Sequence, residues 1–121
     1  MKRKKLTASM IALVMSVSLP MTTYAANWYL EDGSVTVNAD NSGQTVTQGG
    51  TSTPDEAPVI TQRESSVETG NTIAISTSDN AAANVTIKDI NIKSSNDAID
   101  VKGSSSANIT LEGDNKIFSE T

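Results

Sequence analysis

The side chains of this 121-residue chain that could do chemistry are mostly carboxylates and amides. There are 14 acidic residues, no His and no Cys. Without His the commonest general base and metal ligand is missing. Asn96-Asp97-Ala98-Ile99-Asp100 sets two aspartates three apart, and glycoside hydrolysis needs two carboxylates at a fixed separation. On a strand, residues three apart point to opposite faces or across a corner. No supporting cluster accompanies the pair, so a solvated polar corner is the plainer account. Any metal here must be oxygen-ligated, which points to calcium. Asp89, Asp97, Asp100 and Asp114 are the candidates, all near predicted corners, with Asp79 close by. No D-x-[DN]-x-[DN]-G loop is present, and turn aspartates also serve simply to keep an exported protein soluble. Lyase chemistry would add a base beside such a cation. Arg63 is the only arginine after residue 25, and Lys88, Lys93, Lys102 and Lys116 are scattered.

Two other patterns could bind rather than react. Trp28 and Tyr29 are two of the three aromatics after residue 25. Adjacent aromatic faces suit sugar stacking, although a plug over the first rung of a repeat structure explains them equally simply. Asn84 and Asn108, each opening an Asn-x-Thr string, are expected to stack as an amide ladder.

The elements that position these residues follow from a self-match. Ala83-Asn84-Val85-Thr86-Ile87 recurs 24 residues later as Ala107-Asn108-Ile109-Thr110-Leu111. Asp89, Ile92 and Ser94 recur at a spacing of 25 as Asp114, Ile117 and Ser119. Periods in the low twenties mark stacked supersecondary units. Within each copy, β-branched residues alternate with polar ones, as in Ile73/Ile75, Val85/Ile87, Ile90/Ile92 and Ile99/Val101. That is strand periodicity, broken by Ser, Asn, Asp and Gly corners. The expected fold is all-β: a right-handed parallel β-helix, or β-solenoid, of two to three coils of 24–25 residues. Lys88 falls opposite Glu112 in that register, suggesting an ion pair between rungs.

Along the chain, residues 1–25 read as a cleaved secretory signal helix. Lys2 to Lys5 are basic, Leu6 to Leu19 are apolar, and Thr23-Tyr24-Ala25 suits cleavage between Ala25 and Ala26. The apolar run is shorter than the roughly 20 residues of a membrane span, so no membrane association is expected once it is removed. The remainder holds 5 basic and 14 acidic residues, a net of −9; such a surface repels nucleic acid. Residues 26–40 read as an N-terminal capping strand region, 41–58 as a polar linker or irregular coil, and 59–121 as β-helix repeats. Ile60, 25 residues before Val85, marks a degenerate further copy. Ile117-Phe118-Ser119-Glu120-Thr121 falls inside what reads as another turn, so a fragment of a longer protein, monomeric at full length, is expected.

Residues 59–121 resemble the right-handed β-helix carbohydrate-binding domains of exported surface proteins from clostridia and related gut Firmicutes. The strings that carry the likeness are Asn84–Ile92, Asn96–Val101 and Asn108–Asn115. The resemblance implies binding of an acidic plant or host polysaccharide with bound calcium, because an acidic module holds an acidic polymer only through a bridging cation. Asn96–Asp100 also resembles the N-x-D-G-I-D element of polygalacturonase-type glycosidases, but Ala98 replaces Gly and no Asp-Asp pair or His accompanies it. The expected function is therefore a secreted or cell-surface, non-catalytic polysaccharide-binding module. A structural stalk or adhesin repeat without a ligand is the alternative, and a truncated pectin-active lyase or glycosidase the second.

Overall fold

The computed structural model describes residues 26–120. The expected signal segment, including Ala25, lies outside the described residues. Ala26 is described, and its carbonyl accepts the Val59 N–H at 2.9 Å.

The period-two runs form strands, and the described part of the chain is all-β with parallel and antiparallel pairing mixed. The strands are β1 (Asn27–Tyr29), β2 (Val35–Asp40), β3 (Gly43–Gln48), β4 (Thr51–Pro54), β5 (Val59–Thr61) and β6 (Ile73–Thr77). They are followed by β7 (Ala82–Lys88), β8 (Asn91–Ser94), β9 (Ile99–Gly103), β10 (Ser106–Glu112) and β11 (Lys116–Ser119). One sheet runs β1-β5-β7-β10, a second β4-β3-β2-β6-β9, and a third pairs β8 with β11.

Three further features follow the 24–25-residue spacing. β10 lies parallel to β7 with Asn108 opposite Asn84 and Ile109 opposite Val85. β11 lies parallel to β8 with Ile117 opposite Ile92, and β9 parallel to β6 with Val101 opposite Ile75. Inward side chains thus meet like side chains in the adjoining strand: Val35 with Ile73 and Ile99, and Ile60 with Ile87 and then Leu111. Leu30, Val37, Val46, Ile60, Ile75 and Ile87 are among the fully buried residues. At about 0.8 kcal/mol per buried CH₂, these contacts supply most of the folding drive.

Two expectations about the N-terminal half need correction. Residues 41–58 are not an irregular linker: β2, β3 and β4 form an antiparallel meander whose first strand also pairs parallel with β6. Gly49 and Gly50 take φ of 62° and 81°, the left-handed pair that a two-residue hairpin turn requires. Val46 and Gln44 point into the core, while Pro54 sits on the outermost strand, where a missing N–H costs no ladder bond. The degenerate copy is also out of step. Ile60 pairs with Ile87, 27 residues on, and not with Val85. Residues 26–40 do more than cap: Trp28 is the parallel partner of Ile60, and Val35 and Val37 of Ile73 and Ile75.

Candidate functional site

A cluster of charged groups ties the N-terminal strands together. Directly after β1, a 3₁₀ turn at Leu30–Asp32 buries Leu30 and turns Glu31 and Asp32 outward. The Glu31 carboxylate accepts the backbone N–H groups of Arg63 at 3.0 Å and Glu64 at 2.8 Å. The Arg63 guanidinium donates to both Asp32 oxygens, at 3.0 and 2.9 Å, and lies 4.1 Å above the Tyr29 ring centroid. Residues around Arg63, including Gln62, Glu64, Val67 and Glu68, line an adjoining groove of about 450 Å³.

The electrostatics follow from these contacts. Desolvation pushes the Glu31 carboxyl upward, but the Glu64 and Arg63 N–H bonds and the Arg63 charge outweigh it and hold the group below its ordinary value. Asp32 is lowered chiefly by the Arg63 hydrogen bond. Arg63 is raised by the same bond. Both partners of that pair are half exposed, so solvent screens it and geometry is its main contribution.

The outer face of the β1-β5-β7-β10 sheet has a different character. Asn108 Nδ2 donates to Asn84 Oδ1 at 3.0 Å, the amide ladder expected from the repeat. Thr110 lies opposite Thr86 two residues along, and Ser106 opposite Ala82. The result is a strip of amides and hydroxyls repeating about every 4.8 Å across strands and about 6.8 Å along them. Thr47 and Ser52 make a similar hydroxyl pair at 2.7 Å on the meander.

The predicted site residues have these positions. Trp28 is partly buried against the core, and its indole N–H donates to the buried Asp55 at 2.8 Å. Tyr29 has Arg63 over its ring, so the pair presents no open two-ring platform. Asp89 and Asp114 meet at the corner following β7 and β10, where the Asp89 carboxylate accepts the Asp114 N–H at 2.9 Å. Asp97 is exposed at a separate corner before β9, and Asp100 pairs with Lys102 at 3.2 Å. The four calcium candidates therefore belong to two different corners, and among the described residues no group of three acidic side chains is placed to hold a metal. Lys88 and Glu112 are strand partners, yet the ion pairs among the described residues are Arg63–Asp32 and Lys102–Asp100. The Glu31–Asp32–Arg63 cluster was not foreseen; its residues lie 31 to 33 positions apart, and no local pattern links them.

Comparison of the chain with protein-family models, curated proteins and solved structures finds no match.

Proposed function

We propose that this chain is an exported, non-catalytic surface module, built as a right-handed β-solenoid, whose outer polar strip binds polysaccharide. Parallel stacking at 24–27-residue offsets supports the solenoid reading. Parallel connections take the right hand because right-twisted strands pack back onto the sheet only that way. The antiparallel β2-β3-β4 meander is then a terminal cap inserted into the first coil.

The observation that carries the binding reading is the Asn84–Asn108 and Thr86–Thr110 strip. Amides and hydroxyls held at regular spacing on a flat face can each donate to and accept from sugar hydroxyls. Their rotamers are restrained by stacking, so less entropy is lost on binding. With a net of −9 after the expected cleavage, an acidic glycan would bind only with a bridging cation, and calcium is the candidate for that role. A ligand-free stalk is the second reading, favoured by the packed positions of Trp28 and Tyr29.

Affinity electrophoresis of the mature chain against neutral and acidic polysaccharides, with calcium and with chelator, tests both. Retardation that Asn84→Ala/Asn108→Ala weakens at least about tenfold, without new reducing or unsaturated ends, is expected. Migration unaffected by every polysaccharide leaves the stalk reading, and product formation returns the pectin-active enzyme.

A further inference from the structure

We propose that the open rung formed by β9, β10 and β11 docks against the same rung of a second copy of this chain, the two related by a two-fold axis through Val101 and Asp114. Val101, Leu111, Ile117 and Ile109 are 49, 62, 40 and 39% exposed, while their strand partners Ile75, Ile87, Ile92 and Val85 are buried. Among the described residues, the large apolar side chains this exposed are confined to this rung, with Val67 the exception. All three strands also end their sheets, leaving N–H and C=O groups without ladder partners. Unpaired edges beside an apolar surface are a template for strand addition.

Charge pattern selects the occupant. Two copies meeting edge to edge about this axis pair β9 antiparallel with itself. Val101 then faces its own copy, and Asp100 faces Lys102 of the second copy, twice over. The same axis lies midway between β10 and β11 in sequence, so β10 pairs with β11 of the other copy. Glu112 then faces Lys116, Leu111 faces Ile117, and Ile109 faces Ser119. Every pair is apolar with apolar, opposite in charge, or compatible, apart from Asp114 meeting itself at an exposed corner where solvent screens the repulsion. Head-to-tail stacking has no such match. The opposite end of the β9-containing sheet is β4, four exposed residues with Pro54 among them. A self-complementary patch closes into a two-fold dimer and does not propagate.

Sedimentation velocity of the mature chain over a concentration series tests this, with charge reversal as the probe. A reversible dimer is expected. Lys102→Asp should weaken it at least about tenfold by opposing like charges, and Asp100→Lys combined with Lys102→Asp should restore it. Both side chains are substantially exposed, and an unchanged far-UV circular dichroism spectrum establishes that each variant folds. A strict monomer at every concentration, open-ended oligomers, or a single reversal without effect overturns the proposal; a monomer would leave a strand of another chain as the rung's occupant.

Discussion

Side-chain amides complete the sheets where strands run out. The Gln44 amide donates to the Asn84 carbonyl at 3.0 Å, and its oxygen accepts the Asn84 N–H at 2.9 Å. It thereby stands in for a missing strand residue beside β7, whose pairing with β5 covers only Thr86 and Ile87. Gln62 accepts the Asn91 N–H in the same manner. Gln44→Ala strands two backbone groups in a site that is 2% exposed. A loss of about 2–3 kcal/mol is expected, read as a lower urea midpoint at unchanged slope. Gly103, with φ of 126°, is a second sensitive position: a Cβ there would overlap the Thr77 carbonyl oxygen. Gly103→Ala should cost about 2–4 kcal/mol by the same measurement. The Asn84–Asn108 ladder was legible in the sequence because both residues sit at one point of a repeat. The glutamines were not, since Gln44 acquires its role only from a gap 40 residues away.

Among the elements, the β3–β4 hairpin was hidden by composition. Its Thr, Gln, Ser and Gly residues read as linker, although Thr45-Val46-Thr47 alternates and Gly49-Gly50 is a hairpin turn signal. What decided the outcome was a tertiary factor: β2 offers an edge, and Val46 has core to enter. The clasp between the turn after β1 and the end of β5 gives a pH prediction. Glu31 and Asp32 have lowered carboxyls in the native state, so the unfolded chain binds their protons first as pH falls. Their contribution is complete above the ordinary carboxylate range of about 3.9–4.3 and is lost as pH falls through the lower native values. The thermal midpoint should therefore fall more steeply below about pH 4 in the native protein than in Glu31→Gln. At pH 7 the same variant should melt slightly lower, because a neutral amide oxygen is a weaker acceptor for the Arg63 and Glu64 N–H groups. Parallel acid curves for the two proteins would refute the clasp's role.

At the scale of the molecule, stacking makes stability a property of neighbours. Each interior strand has like strands on both sides, whereas β9, β10 and β11 have one neighbour each. In such quasi-one-dimensional structures local opening begins at the least supported end and progresses inward. The other end is closed by the meander, with β3 covering the free side of β2 and Gln48 donating to the Tyr29 and Gly33 carbonyls at 2.7 and 2.9 Å. Amide hydrogen exchange should therefore show a gradient. Protection should be greatest in β2, β6 and β7 and least in β10 and β11, even though β7 and β10 carry nearly the same sequence. Composition is held almost constant in that comparison, so a difference reports position in the stack. The gradient should also depend on concentration: under dimer-forming conditions β9–β11 should gain protection while β2 and β6 stay unchanged. Equal protection of β7 and β10 in dilute protein would show that the chain opens as one cooperative unit and that end support contributes little.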